Sequence, residues 1–265
     1  MRGAWFRYLA SARRRSRRIP PALSRLTTSL AIGWAGVFAM VAAFRVVASP
    51  PVSRMELAEI ALVYAAIALA PLAGYTLASR SYPPHVRLAP LALRLPHFGR
   101  WRALAPDEAR RHPLFGPAGF MASLLIGLLL NVVLRSFEFL LAIPAIGTGA
   151  PDWGSTLFLL MAADVALMAF LYMVCLAMAL RSVPLFPRML GFVWLLDLFV
   201  QLFIAHRLGA MADLPAVVAG PLALLLDGNI KKVLVSAFVW LPYLLLSDRV
   251  NLTYRLRLRQ AAEGR

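Results

Sequence analysis

Polar side chains able to do chemistry interrupt long apolar runs in the second half of the chain: Asn131, Arg135, Asp164, Asp197 and Gln201, with Glu138 just beyond Arg135. Asn131, Arg135 and Glu138 are spaced by four and then three residues, which on a helix places them on one face. The run that holds them, GFMASLLIGLLLNVVLRSFEFLLAI at 119 to 143, is long enough to cross a bilayer, for which about twenty apolar residues suffice. In hydrocarbon such groups can pair, carry a proton or hold a polar solute. An aspartate at the bilayer centre costs about 2.5 to 3.5 kcal/mol, so it is expected to be paired or functional.

Depth follows from helical rise. Asp164 lies nine residues into a span beginning at 155, and Asp197 lies nine beyond Arg188. Each is then about 13 Å deep from opposite sides of a roughly 30 Å core, close to the midplane. Arg135 is expected about 6 Å below the outer surface and within reach of Asp164. That pair has two readings, a structural bond between helices or part of a binding site. For Asp197 no basic residue is predicted at its depth. It is expected either as a proton-carrying acid or as a neutral acid bonded to Gln201 or a backbone carbonyl. The five residues together are the candidate substrate-binding set of a polar path.

Enzyme signatures are missing from the sequence: it has no HExxH, GxSxG, glycine-rich phosphate loop or Cys-x-x-Cys. His85, His97 and His112 share one loop at spacings that form no recognisable metal site. Cys175 is the single cysteine and excludes an intramolecular disulfide. The expectation is a protein that is not an enzyme, with no cofactor and no metal.

The elements that position these residues are membrane helices. The 265 residues are 61% hydrophobic and 15% charged, against about 45 to 50% apolar and about 25% charged in soluble domains. An all-α polytopic protein of about six spans is predicted, at 30–47, 57–78, 119–143, 155–180, 189–204 and 233–246. The net charge of +16 is mostly a topology signal. Segments 1–29, 79–118, 181–188 and 248–265 hold 8, 7, 2 and 5 Lys or Arg, 22 of the 28 in the chain. Basic residues cluster on the cytoplasmic side, so both termini are expected there and nucleic-acid binding is not. The predicted units are a basic cytoplasmic tail (1–29), an N-terminal transmembrane hairpin (30–78), a basic Pro/Arg-rich cytoplasmic loop (79–115), a four-helix transmembrane core (116–256) and a C-terminal tail (257–265). The location expected is a bacterial inner, or plasma, membrane.

Arg13, Arg14, Arg15, Arg17 and Arg18 in the tail, with Arg100 and Arg102 in the loop, are candidate contacts for anionic lipid headgroups. Ala31, Ala35, Ala39 and Ala43 on the first span and Ala66, Ala70 and Gly74 on the second form stripes spaced by four, which let backbones approach closely. They predict a tight hairpin, and residues 31–43 are a candidate surface for a membrane protein partner. Pro71 is expected to kink the second helix or to sit where a neighbour satisfies the carbonyl it frees. The piece APDEARR carries a helix start. The stretch from Arg207 to Lys232 reads as an interfacial or re-entrant segment, with a turn at Asp227-Gly228 before the last span.

The last span closes WLPYLLLSDRVNLT, and Trp240, Pro242, Tyr243, Ser247, Arg249, Val250 and Thr253 in it resemble the closing signature of a bacterial membrane family called domain of unknown function 2569. The Gly116-Pro117 start, Arg135 late in the next span and the Leu-Phe-Pro-Arg at 185 to 188 are similar too, so the resemblance covers about residues 116–256. It implies a four-span helical core of unassigned activity. The N-terminal hairpin and its loop depart from that four-span pattern. Two functions are carried forward: a small-solute or lipid-binding or transport protein with its polar path in the last four helices, and a non-catalytic accessory or assembly subunit of a membrane complex.

Overall fold

The computed structural model describes residues 19–49, 53–82, 101–147, 151–211 and 213–260. Arg13, Arg14, Arg15, Arg17, Arg18 and Arg100, with His85 and His97, lie outside the described residues. The chain is all-α apart from one small sheet. In order the elements are α1 (Ile19–Arg25), α2 (Thr27–Ala48), α3 (Arg54–Ser81), β1 (Trp101–Ala103), α4 (Pro106–Arg111), α5 (Phe120–Ala142), α6 (Asp152–Leu180), α7 (Phe186–Gly209), α8 (Ala216–Leu246), α9 (Asp248–Arg255) and β2 (Arg257–Arg259). Among them five helices are long and apolar enough to cross a membrane, and six when α8 is counted with α9, which continues it after a 71° bend. Their outward faces carry bare apolar side chains such as Phe44, Phe199 and Phe238, a surface suited to lipid rather than water.

The central element is α6. Asp164 apart, it is apolar on every face past its first turns, so it can meet protein on some sides and lipid on another. Fifteen residues between Gly154 and Ala179 are buried along it, against α3, α5 and α7, while Leu159 and Leu167 stay exposed. On α3 the buried face is Ile60, Tyr64, Ile67, Pro71, Gly74 and Ala78. At Gly74 the backbones approach so closely that a Cβ would collide with the Phe170 carbonyl of α6. The small residue on α3 therefore serves the contact with α6, not the predicted contact with α2. Ala35, Ala39 and Ala43 are exposed on α2, as is Ala66 on α3, because α2 turns Trp34, Phe38 and Ala42 inward instead. Trp34 Nε1 donates to the Ala68 carbonyl at 3.0 Å, in the turn that the missing N–H of Pro71 loosens.

The predicted boundary before the last span is corrected. Asp227-Gly228 is no turn; it lies inside α8, which runs unbroken for 31 residues. An Asp227–Lys231 pair one turn apart, 2.6 Å, bridges the site. The predicted helix start in APDEARR is present as α4, with Pro106 in its first turn and Asp107 and Glu108 after it. The basic loop also contributes β1, which pairs antiparallel with β2, Trp101 opposite Arg259.

Candidate functional site

Two hydrophobic clusters fill the bundle, and a layer of polar side chains separates them. On α5, Val132 and the residues before it belong to one cluster and Phe139 to the other. On α7, Trp194 and Ile204 divide in the same way. Between them lie Arg135, Asp164, Asp197 and Gln201, with exposures of 8%, 2%, 0% and 0%.

Arg135 is the bridge. Its Nη2 donates to both carboxylate oxygens of Asp164 at 2.8 Å. Its Nη1 donates to Asp197 Oδ2, also at 2.8 Å. The Tyr172 hydroxyl, two turns along α6 from Asp164, donates to the same Oδ2 at 2.8 Å. The expected Arg135–Asp164 pair is present. The expectation for Asp197 is corrected: its partners are Arg135 and Tyr172, rather than Gln201 or a backbone carbonyl. The reason is side-chain direction. Arg135 lies 15 residues beyond the start of α5 and Asp197 11 residues beyond the start of α7, a difference of about 6 Å in rise. Helical side chains lean toward their own N-terminus, so a long arginine on α5 covers that distance.

Gln201 follows Asp197 by one turn and approaches Asp164. Its Oε1 accepts from Asn229 Nδ2 of α8 at 3.3 Å. Within the cluster, Asp197 Oδ1, Gln201 Nε2 and Arg135 Nε are buried and meet no hydrogen-bond partner among the described residues. With both carboxylates ionised, two negative charges face one guanidinium. The cluster can therefore take up one proton or one small cation without losing its bridge.

Asn131 stands apart from the ion cluster. It is half-buried and, with Tyr172, Trp194, Lys232, Ser236 and Trp240, lines a cavity of about 80 Å³ between α5, α6, α7 and α8. A polar-lined cavity of that size holds a few waters. Beyond it Glu138 pairs with Lys232 at the half-exposed edge of α5 and α8. Polar groups thus follow one another from the Glu138–Lys232 pair, through the cavity, to Tyr172 and Asp197. Tyr172 and Asn229 were missed by sequence reasoning. For Tyr172 a signal existed: it lies eight residues from Asp164, on the same helical face.

The residues of the closing signature gather at one end of the bundle. Arg249 Nη1 donates to the carbonyls of Leu114 and Gly116 at 3.0 and 3.3 Å. The Gly116 N–H donates to Thr253 Oγ1 at 3.0 Å. Gly116 and Gly119 both have positive φ, 95° and 69°, which glycine adopts without strain. Trp240 and Tyr243 pack on Phe120, and Val250 is wholly buried. Asn251 of the Asn-Leu-Thr triplet is also buried, donating to the Leu245 and Ser247 carbonyls and accepting from Arg255 and Arg257. These residues build a clamp around the entry to α5.

Of the remaining candidates, Arg102 is exposed on β1 and paired with Glu108 at 3.1 Å. His112 Nδ1 accepts from the Leu114 N–H. Cys175 is buried. Among the described residues no group of three His, Cys, Asp or Glu side chains is placed to hold a metal ion. No protein-family model, curated protein or solved structure matches the chain.

Proposed function

We propose that this chain is a small-solute or lipid-binding or transport protein, with its polar path running from Glu138 and Lys232 through the cavity at Asn131 and Ser236 to the Arg135–Asp164–Asp197 cluster. The observation that carries this reading is Asp197, a fully buried carboxylate whose Oδ1 has no partner although its Oδ2 has two. Of the two carboxylates in the cluster, Asp197 is the one with an oxygen left over: both oxygens of Asp164 accept from Arg135. The group exchanged at the buried cluster itself is a proton or a bare cation, since the neighbouring space among the described residues is the small cavity beside Tyr172.

In this reading both termini face the cytoplasm, the membrane is the bacterial inner one, and the chain is akin to the domain of unknown function 2569. The support is the distribution of basic residues and the convergence of the signature residues on one clamp. The exposed Ala35, Ala39 and Ala43 favour a second reading, an accessory subunit that docks through α2.

A single-cysteine experiment tests the path. Ser236→Cys in a Cys175→Ser background is treated with a charged, water-soluble thiol reagent in sealed membranes. Modification at a rate that rises in Asp197→Asn or falls when Asn131 is enlarged supports the path. Complete resistance, with a control cysteine at a helix end reacting, removes it. Native mass spectrometry of the extracted protein addresses the second reading, which requires a stoichiometric protein partner retained in the Asp197→Asn variant.

A further inference from the structure

A larger space than the cavity beside the ion cluster lies elsewhere among the described residues. It is an apolar groove of about 540 Å³ on the opposite side of α5 and α6, open to the surface between α2 and α3. Its walls are Leu30, Trp34, Pro71, Tyr75, Phe137 and Leu176. A volume of this size suits a ligand rather than water. Along α2 it extends from Thr27 to Val37, a rise of about 15 Å, or half of a roughly 30 Å hydrocarbon core. It has the depth of one leaflet.

One end of the groove is basic. Thr27, Thr76 and Leu180 line that end, and the Thr27 and Tyr75 hydroxyls lie 3.4 Å apart across it. Arg25 precedes Thr27, Arg80 follows Thr76 by one helical turn, and Arg181 follows Leu180. Arg25 and Arg80 are exposed and have no acidic partner among the described residues. Arg181 is half-buried and donates to the Tyr82 carbonyl. No Asp or Glu occurs anywhere in residues 1–55, 60–106 or 165–196, which contain α1, α2, the C-terminal half of α3 and that of α6. An apolar slot one leaflet deep, with three arginines within a helical turn of the residues at its end and none of them in an ion pair among the described residues, has the complementarity of an anionic phospholipid.

We propose that the groove binds one acyl chain of an anionic phospholipid from the adjacent leaflet, with the headgroup phosphate held by Arg25, Arg80 and Arg181. The second chain remains in the bilayer. Trp34 forms the wall at mid-groove, its indole N–H already committed to Ala68, so it presents an apolar ring to the chain. The site stands independently of the polar path, because it shares none of the cluster residues.

The test uses the full-length protein in micelles containing equimolar phosphatidylglycerol and phosphatidylcholine with matched acyl chains, read by native mass spectrometry. One retained lipid is expected, predominantly phosphatidylglycerol. Arg25→Gln with Arg80→Gln lowers that preference about thirty-fold while a lipid is still bound, the size expected for two arginines near a charged headgroup. Gly33 lines the groove and an added Cβ there meets nothing within 4 Å, so Gly33→Leu has room to start into the slot and abolishes retention of either lipid. Size-exclusion profiles matching the wild type separate these effects from misfolding. Equal retention of both lipids by the wild type overturns the proposal. So does a preference that survives the double substitution, or a protein that leaves the micelle lipid-free or as a lipid-free dimer.

Discussion

Removing the Arg135 guanidinium should destabilise the protein far more than removing the charge of Asp197. Arg135 makes two hydrogen bonds to Asp164 and one to Asp197, all at 2.8 Å and all buried. Breaking a buried pair by deleting one partner costs about 3 to 5 kcal/mol, and Arg135→Met strands two carboxylates, so the upper end applies. At about 2 to 4 °C per kcal/mol for a chain of this size, the midpoint should fall by roughly 10 to 20 °C. Asp197→Asn leaves the two bonds to Asp164 intact, and its amide oxygen still accepts from Arg135 and Tyr172. Its cost should be near 1 kcal/mol, about the net value of an ordinary hydrogen bond. The combined Arg135→Met, Asp164→Asn, Asp197→Asn variant should recover most of the loss, since a neutral buried site has no uncompensated charge. The assay is the fraction of monodisperse protein remaining after brief heating in one detergent. An Arg135→Met midpoint within about 3 °C of wild type refutes the closed bridge by the same conversion. Equal losses in Arg135→Met and Asp197→Asn refute the asymmetry.

Tyr172→Phe keeps the ring and removes one bond to a charged acceptor, so it should cost about 1.5 to 3 kcal/mol; in an Asp197→Asn background the cost should drop by half or more, read from the same heating assay. Gly74→Ala places a methyl against the Phe170 carbonyl and should cost about 1 to 3 kcal/mol through overpacking, whereas Gly36→Ala, with open space around its Cβ, should leave the midpoint unchanged or raised. Thr253→Val removes the acceptor for the Gly116 N–H and should loosen the clamp. Limited trypsin cleavage at Arg110 and Arg111 should then accelerate several-fold, and an unchanged rate would show that Arg249 holds this segment alone.

Helix positions and the cluster were legible from the sequence because apolar runs with isolated charges have few solutions in lipid. Asp164 and Arg135 could be paired by counting rise alone. What rise does not contain is the reach and direction of a side chain, and for that reason Asp197 was expected without a cation. The Ala stripes misled for a related reason: a period of four says that a face is small, not which helix covers it. Gly74 meets α6, where its backbone lies against the Phe170 carbonyl and leaves no room for a Cβ. Asp227-Gly228 has the composition of a turn, but Asn229 beside it is buried against Gln201, and that contact together with the Asp227–Lys231 pair holds the segment helical. In the closing signature, the spacing of Arg249 and Thr253 reads as a motif, yet their common partner, Gly116, is more than 130 residues away.

The composition of the polar layer bears on whether it is structural or functional. Where lipid supplies no hydrophobic drive between helices, a buried bridge can fix the rotation of α5, α6 and α7, and one arginine with one aspartate would be enough for that. Well-packed apolar side chains would serve stability as well or better. A second aspartate adds cost and brings a further requirement, the Tyr172 hydroxyl, while one of its oxygens still goes without a partner. That oxygen belongs to the carboxylate bonded to Tyr172, whose ring borders the small polar cavity, and the cavity leads to the Glu138–Lys232 pair at the edge of the bundle. Excess negative charge, an open acceptor and a path toward water coincide at one residue. The proposed exchange of a proton or cation at Asp197 rests on that coincidence.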